Sequence, residues 1–266
     1  MPGAPKPGKL AGVTLSPDRC RDADAALIER QLRAAGSPER AASEQNYLKS
    51  KLEFAGATVP QTRAIVTAWR RAHPELTRQR LTDVAAALWD GPIYECKLAA
   101  VLLLTDRRAL LQAGDAPLIE GMLRTAGTWA LVDGLAADVM GSLVARFGDE
   151  LHPALDQWAT DTDFWIRRSA LLALLVPLRR GDPANFEQFA GYADAMLGER
   201  EFFIRKAIGW VLRETGKHQP DLVADWLAPR THRASGVTMR EAVKWLPAGQ
   251  GAALLTAYRT AHRNAG

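Results

Sequence analysis

Apolar residues return at helical spacing along most of the chain, and short polar segments separate the apolar stretches. From residue 21 onward they recur every three or four positions, which is the period of an amphipathic helix. The segments between them contain Gly, Pro and Asp, as at residues 90–92 and 181–183. No segment shows the strict alternation of apolar and polar residues that a half-buried strand requires. The pattern therefore predicts an all-α fold.

The predicted helices follow one another closely from residue 21 to residue 262. They cover residues 21–36, a second helix through 46–52 that ends at Gly56, then 58–72, 80–89, 93–105, 116–126, 128–147, 151–160, 163–179, 185–197, 200–216, 220–227, 236–246 and 249–262. Residues 1–20 are rich in Pro and Gly with scattered Lys, a composition typical of a disordered tail.

A short pattern recurs along the chain, in which a bulky residue precedes a cation by three positions and an apolar helix follows. The four cationic copies end at Lys97, Arg168, Lys206 and Arg240. A fifth copy lies between the first two and ends at Val132, which is followed by Asp133. Successive ends are 35, 36, 38 and 34 residues apart. These periods are typical of HEAT, armadillo or TPR helical pairs, so we expect residues 21–264 to form one α-solenoid.

The repeat places the same helix surface along one wall of the array. That wall carries the four cations, with Arg205 beside one of them, and Asp133 interrupts it. The cations are either an ordinary solvated surface or a groove for a polyanion. Asp133 is either the partner of a neighbouring cation, with Arg168 as the obvious candidate, or a carboxylate with a role of its own.

Seven of the eight tryptophans divide into two groups. Five are predicted to lie in the core: Trp69, Trp89, Trp158, Trp226 and Trp245. Trp210 follows Lys206 by four positions and Trp129 precedes Asp133 by four, so each shares a helix face with a charged residue of the wall. We therefore expect Trp129 and Trp210 to line the groove.

Composition excludes several classes of protein. The net charge of +4 and the pI near 9.2 permit nucleic-acid binding without establishing it. Two cysteines make no disulfide framework, and no apolar stretch is long enough for a membrane span, so we expect a cytoplasmic protein without a membrane association. The five histidines form no cluster at zinc spacing, and there is no phosphate-binding Gly-rich loop. We expect neither a metal nor a cofactor.

Four motifs carry a resemblance to a known family. They are Tyr47-Leu48-Lys49-Ser50 followed by Phe54, Gly56 and Pro60; Trp129-x-x-x-Asp133; the segment 165–170 that begins Trp-Ile-Arg-Arg; and the segment 202–214 that begins Phe-Phe-Ile-Arg-Lys. Over about residues 40–250 the chain resembles the AlkD-type DNA alkylation repair glycosylases, which are built from HEAT-like repeats. The last segment is the most specific of the four.

The resemblance implies roles for particular residues. Asp133, Trp129 and Trp210 correspond to the positions around the reacting nucleotide, and Arg168 and Tyr47 to positions facing DNA. It also implies that the damaged base need not be flipped into a deep pocket. The chain departs from the family beside Trp129, where Thr128 and Ala130 replace a second aromatic and an acidic residue. That departure affects the shape of the lesion pocket.

The residues themselves are compatible with this chemistry. A purine alkylated at N3 or N7 already carries a positive charge, so it can leave without protonation and a single carboxylate can suffice. Our hypothesis is a monomeric DNA glycosylase that excises such purines from duplex DNA, with Asp133 as the catalytic carboxylate. Phosphate contacts are expected from Arg168, Lys97, Lys206, Arg240 and Arg205. The alternatives are a non-catalytic repeat scaffold and a DNA-binding paralogue without excision activity.

Overall fold

The structure is a computed structural model that describes residues 23–181 and 183–263. Its helices are α1 (Ala23–Ala35), α2 (Pro38–Leu48), α3 (Val59–Ala72), α4 (Arg78–Asp90), α5 (Tyr94–Asp106), α6 (Ala116–Arg124), α7 (Trp129–Asp133), α8 (Gly141–Ala159), α9 (Phe164–Leu172), α10 (Leu175–Leu178), α11 (Pro183–Met196), α12 (Phe202–Gly216), α13 (Pro220–Leu227), α14 (Gly236–Ala242) and α15 (Ala248–Arg263). Within these residues there is no strand, only an isolated bridge between Glu53 and Ile93. The all-α prediction is confirmed. The predicted tail over 1–20 lies outside the described residues.

Polar side chains fix several helix starts close to their predicted positions. Before α3, Thr58 accepts a hydrogen bond from the Gln61 N–H at 3.3 Å, and the Gln61 side chain accepts one from the Thr58 N–H at 2.8 Å. Before α9, Asp163 accepts from the Trp165 N–H at 2.8 Å. These bonds satisfy N–H groups that have no partner within the helix.

The segment after α2 differs from its prediction. The helix ends at Leu48 because Lys49 adopts a left-handed conformation, with φ of 48°. The extended chain beyond it is held by Glu95 of α5, whose buried carboxylate accepts from the Ala55 N–H at 2.8 Å and the Gly56 N–H at 2.7 Å. The prediction of a helix through residue 52 to Gly56 was wrong, because this long-range contact favours extended backbone.

Residues 129–159 are helical throughout but not uniformly so. Between α7 and α8 lies a π-helix, Gly134–Met140, and α8 itself bends at Phe147, where φ is −133° and ψ is 37°. The two helices predicted over 128–147 and 151–160 are therefore joined through a kink. A π-turn shifts the side chains that follow it around the helix axis, and such turns often occur at functional sites.

Neighbouring repeats are joined by apolar packing and by side-chain bonds. The buried hydrophobic cluster extends from Ala25 to Leu254. Across it, Trp158 Nε1 donates to Glu120 at 3.0 Å and Arg124 donates to Asp161 at 2.6 Å, over separations of 38 and 37 residues. These separations match the period of the sequence pattern. The fold is an α-solenoid of HEAT-like repeats.

The tryptophan predictions were correct at four positions of five. Buried members are Trp69, Trp89, Trp158 and Trp226. Trp245 is 59% exposed, so its assignment to the core was wrong. It follows α14 at the end of a 3-10 turn, and the Lys217 ammonium lies 5.5 Å from its ring centroid.

Replacing Glu95 with Ala should destabilise the fold by about 2–4 kcal/mol, because two backbone N–H groups lose a charged acceptor. Denaturant unfolding measures the change. The control is Glu53→Ala, an exposed side chain on the same extended segment, which should change stability by no more than about 0.5 kcal/mol. Equal stability of the two variants would show that Glu95 does not hold the segment.

Candidate functional site

Six of the residues predicted from the sequence line one groove with a volume of about 710 Å³. They are Tyr47, Trp129, Asp133, Arg168, Lys206 and Trp210. We call this surface the central groove. Its lining also includes Lys49, Thr128, Trp165, Phe202, Phe203 and Arg213. Residues from four helices, α2, α7, α9 and α12, or from their flanking segments therefore meet at one place.

The close approach of α7 to α5 positions Asp133. Gly134 follows it directly, and a Cβ at that position would lie 2.6 Å from Cγ1 of Val101. Glycine is therefore the residue that allows the backbone to come this near, since a methyl group would displace one of the helices. Trp129, at the start of α7, lies one turn before Asp133 on the same face.

Asp133 forms the ion pair that the sequence analysis gave as one interpretation. Arg168 Nε and Nη2 donate to the two carboxylate oxygens at 2.9 Å each. Its remaining Nη1 donates to the Phe203 carbonyl at 2.5 Å. The Arg168 side chain is 3% exposed and that of Asp133 is 18% exposed, so the guanidinium lies behind the carboxylate. Burial raises the pKa of Asp133, and the charge and hydrogen bonds of Arg168 oppose that rise.

The predicted role of Arg168 as a phosphate contact does not fit this geometry, because its donors face Asp133 and a backbone carbonyl. The Thr128 hydroxyl, on a residue that also lines the groove, is buried and has no hydrogen-bond partner among the described residues. A buried hydroxyl without a partner is costly. Thr128 is one of the two positions at which the chain departs from the resembling family.

Aromatic side chains form much of the rest of the groove. Tyr47 is 69% exposed and meets Trp129 edge to face at 6.1 Å between centroids. Trp165 packs against Phe203 at 4.8 Å, and Phe202 is 53% exposed. Trp165, Phe203 and Phe202 were not predicted from the sequence to belong to the site. A signal was present, because Trp165 and Phe203 occupy the bulky position of the repeated pattern.

Lys206 differs from the buried Arg168 at the corresponding repeat position. Its side chain is 41% exposed, and its ammonium lies 2.6 Å from the Glu241 carboxylate. Trp210, one turn further along α12, is partly buried and lines the groove. Lys206 can therefore present positive charge to a ligand in the groove.

Three predicted cations lie elsewhere. Lys97 is 6% exposed; its ammonium donates to the Trp89 carbonyl at 2.5 Å, and burial lowers its pKa to about 8. Its predicted role as a phosphate contact was wrong, because the packing of α5 on α4 encloses it. Arg205 donates to the Glu199 carbonyl at 2.6 Å, outside the groove lining. Arg240 is exposed on α14, also outside the lining.

Residues 23–181 and 183–263 contain no group of three or more His, Cys, Asp and Glu side chains placed to hold a metal ion. In the same part of the chain, no helix is both long enough and apolar enough to cross a membrane. The lining of the central groove consists largely of one carboxylate, several cations and aromatic rings.

Fold and groove together define a HEAT-like helical-repeat protein with an aromatic groove that contains one carboxylate paired with an arginine. The family model described as DNA alkylation repair enzyme matches residues 28–246. The chain belongs to this DNA alkylation repair enzyme family.

Solved structures share the helical-repeat fold. A structure described as a predicted DNA alkylation repair enzyme from Enterococcus faecalis superimposes with a TM-score of 0.70 at 25% identity, covering 80% of this chain and 97% of that one. AlkD2 from Streptococcus mutans shares the fold, with a TM-score of 0.54 at 16% identity over 80% of this chain and 100% of that one. A second Streptococcus mutans protein, smu.31, gives a TM-score of 0.55 at 15% identity over 84% of this chain and 100% of that one. No curated protein matches the sequence.

Replacing Gly134 with Ala should destabilise the fold by about 1–3 kcal/mol through overpacking against Val101. Combining it with Val101→Ala should cost less than the sum of the two single changes, since the smaller side chain makes room for the new methyl. Urea unfolding of all four proteins measures the coupling. Gly121→Ala is the control: its helical Cβ meets nothing within 4 Å, so it should be neutral or stabilising. Additive single effects would contradict the proposed contact.

Proposed function

We propose that this protein is a monofunctional DNA glycosylase that hydrolyses the N-glycosidic bond of purines alkylated at N3 or N7 in duplex DNA. The observation that carries this proposal is the position of Asp133. Its carboxylate lies in a groove lined by Trp129 and Trp210, beside cations that suit a polyanion. We propose that it works as a monomer in the cytoplasm, with residues 21–264 as one domain and no cofactor.

The chemistry requires one carboxylate. The alkylated purine is cationic, so when its bond to C1′ breaks it takes the bonding electron pair and leaves as a neutral base. Positive charge then develops on the deoxyribose, and a carboxylate fixed nearby stabilises it. Water adds to C1′ and gives up a proton, which Asp133 accepts. The raised pKa of Asp133 makes it a better proton acceptor than an ordinary surface aspartate.

The ion pair with Arg168 is compatible with this role. Arginine uses one lone pair on each carboxylate oxygen, and each oxygen has a second. Because Arg168 is enclosed while Asp133 retains some exposure, the free lone pairs are available on the groove side. Arg168 is thus a positioning residue, which fixes the carboxylate and offsets part of the cost of burying it.

The faces of aromatic side chains can stabilise the positive charge of the same transition state. The π-systems of tryptophan carry negative density on their faces and attract a nearby cation, by up to about 2 kcal/mol when the site is desolvated. Trp129 and Trp210 contribute faces to a groove that a base attached to duplex DNA can approach. Lys206 provides a partly exposed cation for a phosphate.

The Asp133–Arg168 pair also favours a second candidate function. An aspartate that serves only to join two repeats would leave a protein that binds DNA without excising a base. A carboxylate in the groove, however, repels the phosphates of bound DNA. It is useful there only if it stabilises a cation that develops during the reaction. The position of Asp133 in the groove therefore favours the glycosylase.

Replacing Asp133 with Asn should lower single-turnover release of 7-methylguanine by about 10²–10³-fold, because the charge that stabilises the sugar cation is lost. Affinity for undamaged duplex DNA should stay equal or rise, since the variant removes a negative charge from the groove. Both quantities are measured below the melting temperature of the variant, because Arg168 loses its ionic partner.

The matched control is Asp115→Asn. Asp115 is 6% exposed and also accepts two hydrogen bonds from an arginine of another repeat, Arg78, at 2.9 and 2.6 Å. It lies outside the central groove, so this variant should lose stability and keep its excision rate. Equal loss of excision in both variants would assign Asp133 a structural role alone.

Replacing Trp210 with Ala should lower base release about ten-fold or more through the loss of a cation–π contact. Trp210→Phe, which retains an aromatic face, should keep more of the rate. Melting temperatures recorded with the rates separate this effect from unfolding, since a core tryptophan costs about 3–5 kcal/mol on truncation. A loss of rate that follows the loss of stability across both variants would remove Trp210 from the site.

A further inference from the structure

A second charged surface adjoins the central groove, and we call it the C-terminal platform. It consists of Glu214 and Glu241, the five cations Arg179, Lys206, Arg213, Lys217 and Lys244, and Trp245. Lys206 and Arg213 also line the central groove. The two surfaces are therefore continuous.

Glu241 organises one half of the platform. Its carboxylate lies 2.6 Å from Lys206, 2.6 Å from Arg213 and 2.8 Å from Lys244. The close approach of α12 to α14 makes this possible, because a Cβ at Gly209 would lie 2.6 Å from the Glu241 Cβ. Desolvation raises the pKa of Glu241, but hydrogen bonds from Lys206 and Lys244 outweigh it, and the pKa falls to about 2.

Glu214 organises the other half. It lies 2.8 Å from Lys217, 3.3 Å from Arg213 and 3.7 Å from Arg179. The side chains of the two carboxylates are 8% and 12% exposed, whereas the five cations are between 23% and 50% exposed. Two enclosed anions thus hold five outward cations in place. Arg179 also interacts with the exposed carboxylate of Asp138, so the other four cations around the two glutamates leave an excess of about two positive charges facing solvent.

Asp194 also meets two arginines, Arg230 and Arg233, but its side chain is itself 39% exposed, and other ion pairs have a simpler balance. Arg70 with Asp106 and Arg78 with Asp115 each match one cation to one carboxylate. Such pairs leave no charge for a third group. The excess at the platform is not needed to join the repeats, which one cation for each carboxylate would achieve.

Trp245 adds an apolar surface to these charges. It is 59% exposed, and the Lys217 ammonium lies 5.5 Å from its ring centroid. Lys244 precedes it in the chain and is also exposed. Fixed cations suit the phosphates of a DNA backbone, and an exposed indole beside them offers an apolar face to the sugar next to a bound phosphate.

We propose that the C-terminal platform is a DNA-anchoring surface, where Arg213, Lys217 and Lys244 contact backbone phosphates and Trp245 packs against an adjoining deoxyribose. This inference rests on the proposed function in taking duplex DNA as the partner. From Lys206 to Lys217 the stripe on α12 extends about 16 Å. Duplex DNA carries a charge for about every 1.7 Å of its axis, so this length spans several phosphates. Anchoring is separate from the chemistry at Asp133.

The test measures equilibrium binding to an undamaged duplex across a salt series, for the Lys217→Ala/Lys244→Ala double variant and for Trp245→Ala. The double variant should lower the slope of log K against log salt by about 1.8, which is two phosphate contacts. Trp245→Ala should weaken binding several-fold without lowering the melting temperature, since the indole is exposed, and Trp245→Phe should retain more affinity. The control is Arg33→Ala, an exposed cation of α1, which should change nothing.

Maximal single-turnover release of 7-methylguanine at saturating protein should be unchanged in the platform variants. Unaltered DNA affinity and salt slope in both platform variants would overturn the inference. If the unmodified protein still releases the base in that case, the proposed function stands. If the platform variants weaken DNA binding but the unmodified protein releases no base, the inference stands and the proposed function is overturned. Loss of affinity for polyglutamate but not for the duplex would assign the platform to an acidic protein and also overturn the inference.

Discussion

The structure depends on one constraint: a helical pair in this chain cannot bury its apolar face alone and has to stack on its neighbours. Wherever two pairs meet, polar groups at the junction also need partners, and the chain supplies them from residues about one repeat apart. Arg78 bonds to Asp115 over 37 residues and Arg168 to Asp133 over 35. The ion pair at the centre of the candidate site is therefore one of the contacts that join neighbouring repeats, and it resembles the others in its geometry.

What distinguishes the site is the balance of charge and exposure at each junction. At Asp133 one arginine meets one carboxylate, and the arginine is the more enclosed partner, so the anion faces the groove. At Glu241 three cations meet one carboxylate that is 8% exposed, so positive charge faces solvent. The first arrangement suits a cation that develops during a reaction. The second suits a phosphate backbone that is negative throughout.

The sequence predicted most of the helices, the period and the shared face of Trp129 and Asp133, because all of these follow from local spacing. It did not predict which cations are exposed. Lys97 and Lys206 occupy the same repeat position, yet the first is enclosed against Trp89 and the second meets Glu241. Packing against the neighbouring repeat decides which of the two lysines is exposed to solvent. The spacing of residues within one repeat cannot predict that exposure.

Local spacing also failed to predict the extended segment before Thr58 and the exposure of Trp245, because contacts outside the local pattern determine both. Glu95 holds the segment from another helix, over about forty residues of chain. Trp245 is apolar and near the end of a helix, which in most proteins indicates a core position. The turn at the end of α14 instead directs it to solvent, and no pattern in the sequence marks that turn.

The central claim is that the groove uses a fixed carboxylate to release a base that is already positively charged. The most direct test compares single-turnover release of 7-methylguanine and of hypoxanthine, a neutral lesion base, from duplexes of the same sequence. A carboxylate without a proton to donate should release the cationic base and leave the neutral one in place. Equal release of both bases, or release of neither, would contradict the account.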